Sequence, residues 1–259
     1  MAEWNPEKYA QFGGLRLRPA IDLLSAVPAM PEGDIVDLGC GAGVMAEPLA
    51  ARFGSRRLLG VDSSTAMLEK ARAVGLYRDL VEADIDQWVP ETAPALIFSN
   101  AALNWLGDHA GLMERLATYL APGGTLAVQM PRQSARPSHG LWRELSGEMY
   151  PDRFDWSDWE SEVHGPAFYA SLLSEIGEAR VWQTEYFQSL EAAQDAHPVR
   201  LFTASTYGRR VLDKLSAVEQ TRFEARYDAA VAGAYPLEED GSCWFPFRRL
   251  FFILTRPTG

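Results

Sequence analysis

Between residues 34 and 130, short apolar segments alternate with longer segments whose apolar residues recur every three or four positions. The short segments are rich in Val, Ile and Leu, as buried strands are, and the longer ones are typical of amphipathic helices. This alternation predicts a parallel sheet with helices on both faces. The predicted strands are residues 34–38, 57–61, 80–83, 95–99 and 125–130, and the predicted helices are residues 44–52, 64–74 and 109–120.

The regions that flank this alternation are mostly helical. Near the start, a helix is predicted from residue 5, a break at Gly13 and Gly14, and a second helix that opens at Pro19 and stops at Pro28. Pro246 lies within the last predicted strand, so that end is expected at a sheet edge or beside a bulge. The later predicted elements are helical pieces at 141–149 and 167–175, a strand at 180–190, a long helix at 217–234 and a last strand at 243–255.

Composition and charge narrow the class of protein. The chain has 259 residues and a formal net charge of -11, which argues against a broad nucleic-acid surface or attachment to anionic lipid. No apolar run is long enough to span a bilayer, and the N-terminus does not resemble a signal peptide. With only two cysteines, the expected compartment is a reducing cytoplasm. The four histidines have no metal-ligand spacing, so no metal site is predicted.

The basic residues are unevenly divided between the two types. Only three of the 24 are lysine (Lys8, Lys70 and Lys214), and the others are arginine. Genome composition explains such a bias. The alternative is that some of these arginines bind carboxylates through two parallel hydrogen bonds, which lysine cannot supply.

A glycine-rich turn follows the first predicted strand. The segment DIVDLGCGAG, residues 34–43, places glycines at 39, 41 and 43 between a strand and a helix. Without a Cβ, glycine lets the backbone turn sharply and approach a ligand closely. The dinucleotide fingerprint G-x-G-x-x-G is not matched, since position 44 is Val. A ligand without phosphate therefore suits this turn better.

Polar residues follow three further strands, where ligands of parallel sheets bind. Asp62 lies 19 residues after Gly43, the distance at which an acid commonly bonds a ribose diol, although it could instead cap the next helix. Asp84 could accept from an adenine amine while Ile85 packs on the ring, or it could be a turn residue. Asn100 ends the fourth strand. The four sites together predict one nucleoside-binding crevice.

The arrangement resembles the class I S-adenosylmethionine-dependent methyltransferases. VDLGCGAG, GVDSS, EADI, FSNAALNW and LAPGG occur in the expected order within residues 34–130. The resemblance implies a Rossmann-like seven-stranded sheet and S-adenosylmethionine as cofactor. Glycines of the turn would lie near its methionine part, the acids near ribose and adenine, and the asparagine near the sulfonium. The implied cofactor-binding residues are Asp37, Gly39, Gly41, Asp62, Ser63, Asp84, Ile85 and Asn100.

A closer resemblance, over almost the whole chain, is to the trans-aconitate methyltransferase family. It is carried by WNPEKYAQFGGLRLRPAIDLL, NAALNWLGDHAGL, LAVQMPRQSARPSH and YPLEEDG…FPFRRLFFILTR. The family esterifies a small tricarboxylate, which requires cations and hydrogen-bond donors. The chain departs from the family at Tyr207 and Arg210, where glycine and proline are usual, and at Arg136, where an acid is common. The implied substrate-binding residues are Arg18, Trp105, Gln129, His139 and Arg209.

Other residues near these segments could also bind the substrate. Each arginine is more often a solvated surface residue than a substrate contact, and Arg248 and Arg249, within a strand, are expected to be structural. His139 and His109 could simply stand at helix starts, and Trp105 could be a core or pocket-wall residue. The further candidates are Arg16, Arg132, Arg136, Arg210 and Ser138.

We interpret residues 1–259 as one α/β methyltransferase domain, with a separate second domain as the alternative. Residues 5–30 would form an N-terminal helical lid and residues 34–130 the cofactor-binding core. Residues 131–178 and 192–240 would be insertions that cap the substrate, and residues 243–255 the last strand. The sequence gives no signal for an oligomeric state.

The expected reaction is methyl transfer to a carboxylate of trans-aconitate, which gives a monomethyl ester. Because a carboxylate is already ionised at neutral pH, no general base is expected. Another small acid or a hydroxyl is an alternative acceptor, and a hydroxyl would need a base, for which His139 is the candidate. A non-catalytic protein that binds S-adenosylmethionine is the other alternative.

Overall fold

A computed structural model describes residues 13–157 and 163–258, with side chains from residue 17 onward. The first predicted helix, from residue 5, lies outside the described residues. The described strands are β1 (Ile35–Leu38), β2 (Leu58–Asp62), β3 (Asp79–Glu82), β4 (Leu96–Asn100), β5 (Thr125–Pro131), β6 (Glu178–Leu190) and β7 (Cys243–Thr255). The described helices are α1 (Gly13–Ala26), α2 (Ala46–Phe53), α3 (Thr65–Val74), α4 (His109–Tyr119), α5 (Pro137–Met149), α6 (Pro166–Ile176), α7 (Pro198–Ala204), α8 (Arg209–Leu212) and α9 (Ala217–Ala234).

The strands form one seven-stranded sheet in the order β3-β2-β1-β4-β5-β7-β6. The first five strands are parallel to one another, whereas β7 runs antiparallel to β5. The strand order reverses at β1, which places the ends of β1 and β4 beside the switch point where open sheets bind ligands. The predicted α/β fold class is confirmed.

Side chains along β5 alternate between the two faces of the sheet, so the apolar ones reach the core and Gln129 lies on the opposite face. Leu126, Val128 and Met130 pack in a buried cluster with apolar residues of α4 and α6. Since successive side chains of a strand point to opposite faces, Gln129 projects from the other face of the sheet. The carboxyl ends of the parallel strands are therefore supported by a continuous apolar core.

Contacts between Cα atoms divide the chain into two units. The sheet unit contains residues 16–131, 163–184 and 249–258, and the helical unit contains residues 13–15, 132–157 and 185–248. In the helical unit, Trp142 of α5 stacks on Phe223 and Tyr227 of α9, with ring centroids 5.4 and 4.4 Å apart. The indole N–H of Trp142 donates to Thr203 at 3.0 Å, so this aromatic core also satisfies its polar group.

Two predicted helix starts are wrong. The described helix α1 already includes Gly13 and Gly14, where a break was predicted, and it contains Pro19, which was predicted to open a second helix. Proline removes one helical hydrogen bond and glycine weakens a helix, but burial of Ala20, Leu23 and Leu24 outweighs these local costs. Helix α5 begins at Pro137 rather than at residue 141, because proline fits the first turn of a helix.

The two longest late elements have the predicted bounds, residues 217–234 for α9 and 243–255 for β7. In β7, pairing with β5 begins only at Arg249, so Pro246 lies before the paired segment, where its missing N–H disturbs no bond to β5. Within the described ranges, no helix has the length and apolarity that a bilayer crossing needs.

Candidate functional site: a nucleoside crevice at the strand ends

The turn after β1 depends on three glycines with positive φ. The φ values of Gly39, Gly41 and Gly43 are 77°, 55° and 81°, in the region that side chains disfavour. A Cβ on Gly39 would lie 2.2 Å from Ala102 Cβ, whereas a Cβ on Gly41 would meet nothing within 4 Å. Gly39 is therefore required for packing inside the protein, and Gly41 leaves backbone exposed to an approaching ligand.

Asp62 ties this glycine turn to the end of β2. Its Oδ2 accepts from the backbone N–H of Gly41 at 2.8 Å, and its Oδ1 accepts from Ser64 N–H at 2.9 Å. The side chain of Ser64, in turn, caps α3 by accepting from the N–H of Met67. Ser63 is exposed beside it. Each carboxylate oxygen can accept a second hydrogen bond, so Asp62 can hold the turn and also bind a hydroxyl.

Asp37 lies beneath the glycine turn and is 2% exposed. Its carboxylate accepts from the Tyr77 hydroxyl at 2.6 Å. Burial raises the pKa of Asp37 to about 7, with a smaller contribution from the charge of Asp62, while the Tyr77 hydrogen bond opposes the rise. Burial likewise raises the pKa of the Cys40 thiol above its usual range. Asp37 is thus bonded within the protein.

Tyr77 was not singled out from the sequence. Its ring lies 3.0 Å from the positions that a Cβ would take on Gly43 and on Gly60. It therefore supports the turn from below while its hydroxyl binds Asp37. No local motif marks this residue, since it follows α3 in an ordinary connection.

The segment after β3 contributes one apolar neighbour to the crevice. Ile85 Cδ1 lies 3.6 Å from the Cβ position of Gly39, so the predicted adenine-packing residue and the glycine turn are adjacent. Asp84 is exposed, and its Oδ1 accepts from the N–H of Asp86 at 3.0 Å, as the turn alternative predicts. Arg115 donates to the Ile85 carbonyl at 3.2 Å and fixes this segment.

Three carboxamides lie at or just after the carboxyl ends of β4 and β5. Asn100 and Gln129 are register partners, and Ala101 N–H donates to the Gln129 carbonyl at 2.8 Å. Gln129 is fully buried, and neither its side-chain oxygen nor its nitrogen has a hydrogen-bond partner among the described residues. The buried Oδ1 atoms of Asn100 and Asn104 also lack one within the same ranges. Asn104 was not predicted.

His109 anchors the single helical turn Leu103–Trp105 that follows β4. Its Nε2 lies 3.0 Å from the Leu103 carbonyl, and its Nδ1 is bonded to the Tyr169 hydroxyl. Because a carbonyl can only accept, Nε2 carries a proton and donates to Leu103. His109 is the first residue of α4, as predicted, but its buried ring has this structural role as well. Trp105, on the same turn, is 47% exposed, so it is not a core residue.

The arginines predicted to bind substrate already have carboxylate partners. Arg18 is exposed and lies 2.8 Å from Asp22 in the sheet unit. In the helical unit, Arg209 is the first residue of α8, and it lies 3.5 Å from Asp213, the residue that follows this helix. Arg136, a further candidate, binds Glu185 at 2.9 Å, and the same carboxylate binds Arg248, which was expected to be structural, at 3.2 Å. Arg16 lies outside the residues whose side chains are described.

His139 belongs to an aromatic and cationic cluster of the helical unit. Its Nδ1 lies 3.1 Å from Ser138 Oγ, and its ring centroid is 4.8 Å from that of Tyr207. Arg143 donates to the Tyr207 hydroxyl at 2.5 Å, and Arg143 and Arg210 lie 5.8 and 5.4 Å from its ring centroid. Arg143 was not predicted, because a surface arginine on α5 carries no signal of its own.

The structure thus brings together most of the predicted cofactor-binding residues within the sheet unit, around the ends of β1, β2 and β4. Arg18, Trp105 and Gln129 belong to the sheet unit, and His139 and Arg209 belong to the helical unit.

Comparisons with known proteins identify the fold and the family of the chain. A family model described as a methyltransferase domain matches residues 8–211. The YcgJ protein of Bacillus subtilis matches with a TM-score of 0.59 and 14% identity, over 93% of this chain and 99% of that chain. A Haemonchus contortus phosphoethanolamine N-methyltransferase in complex with S-adenosylmethionine matches with a TM-score of 0.53 and 17% identity, over 93% of this chain and 52% of that one. At such identities the two structures establish the fold alone, which is that of a class I methyltransferase.

The sequence comparison is more specific. A trans-aconitate 2-methyltransferase of Escherichia coli O157:H7 is 39% identical over 258 residues, which are 99% of this chain and 99% of the relative. The chain belongs to the trans-aconitate 2-methyltransferase family of the methyltransferases.

Proposed function

We propose that the protein transfers a methyl group from S-adenosylmethionine to a carboxylate of trans-aconitate. A carboxylate oxygen of the substrate gives an electron pair to the methyl carbon, and the pair of the broken carbon–sulfur bond remains on sulfur. The products are a monomethyl ester and S-adenosylhomocysteine, and no proton moves. The observation that carries the proposal is the 39% identity to a trans-aconitate 2-methyltransferase over 99% of both chains.

The residues of the crevice fit the cofactor. Gly41 leaves open space above its backbone, which suits the close approach of a ligand, and the buried Oδ1 of Asn100 offers an acceptor without a described partner. Asp62 keeps capacity for a ribose hydroxyl. When bound, S-adenosylmethionine supplies a methyl group on a positively charged sulfur. We propose that Asp37 contributes to cofactor binding indirectly, through the glycine turn. The residues proposed to hold the cofactor directly are Gly39, Gly41, Asp62, Ser63, Asp84, Ile85 and Asn100.

The substrate is a small acid, and arginine is the residue type best suited to its carboxylates. We propose Arg18, Trp105, Gln129, His139 and Arg209 as its contacts. Because the protein carries a formal charge of -11, a trianion is repelled at long range and must be held by local cations. The ion pair of Arg209 with Asp213 keeps its guanidinium oriented before substrate binds.

The chemistry asked of the protein is positioning. An unperturbed carboxylic acid has a pKa near 4, so the acceptor is ionised at neutral pH and no residue needs to remove a proton. Alignment of the two reactants and exclusion of water then provide the rate, through an effective molarity equivalent to about 7–11 kcal/mol at best. The acceptor oxygen loses charge in the transition state, so the strongest cation contacts belong on the carboxylates that do not react.

A radiolabelled methyl-transfer assay tests the proposal. Trans-aconitate, cis-aconitate, isocitrate and citrate are offered side by side, and we expect a labelled product with trans-aconitate that base hydrolyses to release the label. A base-stable product, or no product with any acid, refutes an ester. A product formed instead from a hydroxyl acceptor, with a rate that rises near pH 6–7 and is lost in His139→Ala, would establish the hydroxyl alternative.

Arg209→Ala tests the assignment of the substrate cation. We expect KM for trans-aconitate to rise about 10- to 100-fold, because a charged hydrogen bond contributes about 1.5–3 kcal/mol. KM for S-adenosylmethionine should change less than about two-fold, since the two ligands use different residues. Arg226→Ala is the matched control, because Arg226 is also in the helical unit and its 3.8 Å ion pair with Glu148 is solvent-exposed. Equal rises in both KM values would reject the role of Arg209.

A further inference from the structure

The carboxamides at the ends of β4 and β5 carry an inference that rests on the proposed function. We propose that the carboxylate that accepts the methyl group is held by the neutral side-chain amides of Gln129 and Asn104, and that arginine is kept for the carboxylates that do not react. This assigns the reacting end of the substrate to the sheet unit, next to Asn100.

The first argument is the state of Gln129. Its side chain is fully buried, yet neither amide atom has a partner in the described part of the chain. Leaving a buried polar group unsatisfied costs more than a typical hydrogen bond contributes, so such groups are rare without a reason. A ligand carboxylate that accepts a hydrogen bond from the Nε2 amide of Gln129 is such a reason.

Position distinguishes Gln129 from a second unpartnered group on the same strand. Thr125 Oγ1, at the start of β5, is also buried without a described partner. Thr125, however, pairs with Leu96 at the amino end of β4, whereas Gln129 pairs with Asn100 at the carboxyl end. Ligands of parallel sheets bind at carboxyl ends, so only Gln129 is placed to meet one.

Asn104 is held at the same end of the sheet. The turn Leu103–Trp105 packs against β5, and the preceding residue, Ala102, lies against Gly39 of the glycine turn. His109 fixes this turn through the Leu103 carbonyl, so Asn104 is presented by a rigid segment and not by a free loop. Its buried Oδ1 has no described partner. Because that oxygen can only accept, the group of Asn104 that would meet a substrate carboxylate is the Nδ2 amide, which the same rigid segment carries.

Neutral donors suit this task for an electrostatic reason. The reacting carboxylate is an anion in the ground state and becomes a neutral ester. A cation paired with it would stabilise the anion more than the transition state, which lowers the rate. An amide N–H orients the same oxygen with a weaker attraction. Less stabilisation is therefore lost as that oxygen becomes neutral during the reaction.

The test compares Gln129→Met with Thr125→Val, since each replaces an unpartnered polar side chain by an apolar one of similar shape. If both groups lack partners, both variants should melt at a higher temperature than the wild type, by about 2–4 °C per kcal/mol gained for a chain of this size. Only Gln129→Met should lose activity, with kcat/KM for trans-aconitate falling about 10- to 100-fold and the Kd for S-adenosylmethionine unchanged.

Several results would overturn the proposal. A lower melting temperature for Gln129→Met would mean that the amide already has a structural partner, and unchanged kcat/KM would mean that it does not meet the substrate. Asn104 lies in a half-buried turn, so Asn104→Ala provides a second measurement if Gln129→Met does not fold. An unchanged kcat/KM for Asn104→Ala would mean that Asn104 does not meet the substrate. A wild type that methylates trans-aconitate while these variants keep full activity refutes this inference alone. A wild type that methylates none of the four acids refutes the proposed function as well.

Discussion

Replacing Tyr77 by phenylalanine removes the hydroxyl that donates to the buried Asp37 carboxylate at 2.6 Å. The phenylalanine ring keeps the space beside Gly43 and Gly60 filled, so the glycine turn should keep its shape. The perturbation therefore isolates one hydrogen bond to one ionisable group. That bond opposes the rise in the pKa of Asp37, so its loss should raise the pKa further.

The sign of the pH dependence follows from the raised pKa. The pKa of Asp37 rises from 3.8 to about 7 on folding, so its contribution to stability is fully present below pH 3.8 and is lost as pH rises through 7. At 1.36 kcal/mol per pKa unit the whole loss is about 4 kcal/mol, of which about 2 kcal/mol falls between pH 5.5 and 8.5. Asp37→Asn does not titrate, so the difference between wild type and Asp37→Asn isolates this group from all others.

Urea unfolding at pH 5.5 and 8.5 is the assay for Tyr77→Phe. At pH 8.5 the variant loses a bond to a charged carboxylate, about 1.5–3 kcal/mol, and at pH 5.5 a bond to a neutral acid, about 1 kcal/mol. We expect the destabilisation to be larger at pH 8.5 by about 1 kcal/mol. Equal destabilisation at the two pH values, or a wild type whose stability relative to Asp37→Asn does not change with pH, would refute the reasoning.

The remaining predictions concern the glycine turn and the helical unit. Gly39→Ala should either not fold or melt at a much lower temperature, because its Cβ would lie 2.2 Å from a side chain after β4. Gly41→Ala should fold, with a cost of about 1 kcal/mol in stability, and calorimetry should show a lower affinity for S-adenosylmethionine. The reverse order of melting temperatures would contradict this. Arg200→Met should lower the free energy of unfolding by about 3–5 kcal/mol, since it leaves Glu224 and Asp228, at 3.0 and 2.8 Å, without their cation. A loss below about 1 kcal/mol in urea titration would show that these acids find solvent instead.

Much of the local structure was predictable because it depends on near neighbours. The periodicity of residues 217–234 and 243–255 predicted both elements with the observed bounds. The glycine turn was identified for the same reason, since its conformation is required by residues 39–43 themselves. Pro19 was misjudged because its local cost is outweighed by burial along α1, which no short window of sequence reports.

The amino-acid sequence by itself determined the order of strands and helices, the glycine turn and the family to which the chain belongs. The tertiary structure decided which polar groups meet. Arg136 binds Glu185, 49 positions away, and Tyr77 binds Asp37, 40 positions away. It also left the amide of Gln129 without a described partner. The physical reason is that hydrogen bonds and burial depend on distances in space, which the packing of elements sets and the spacing of residues along the chain does not.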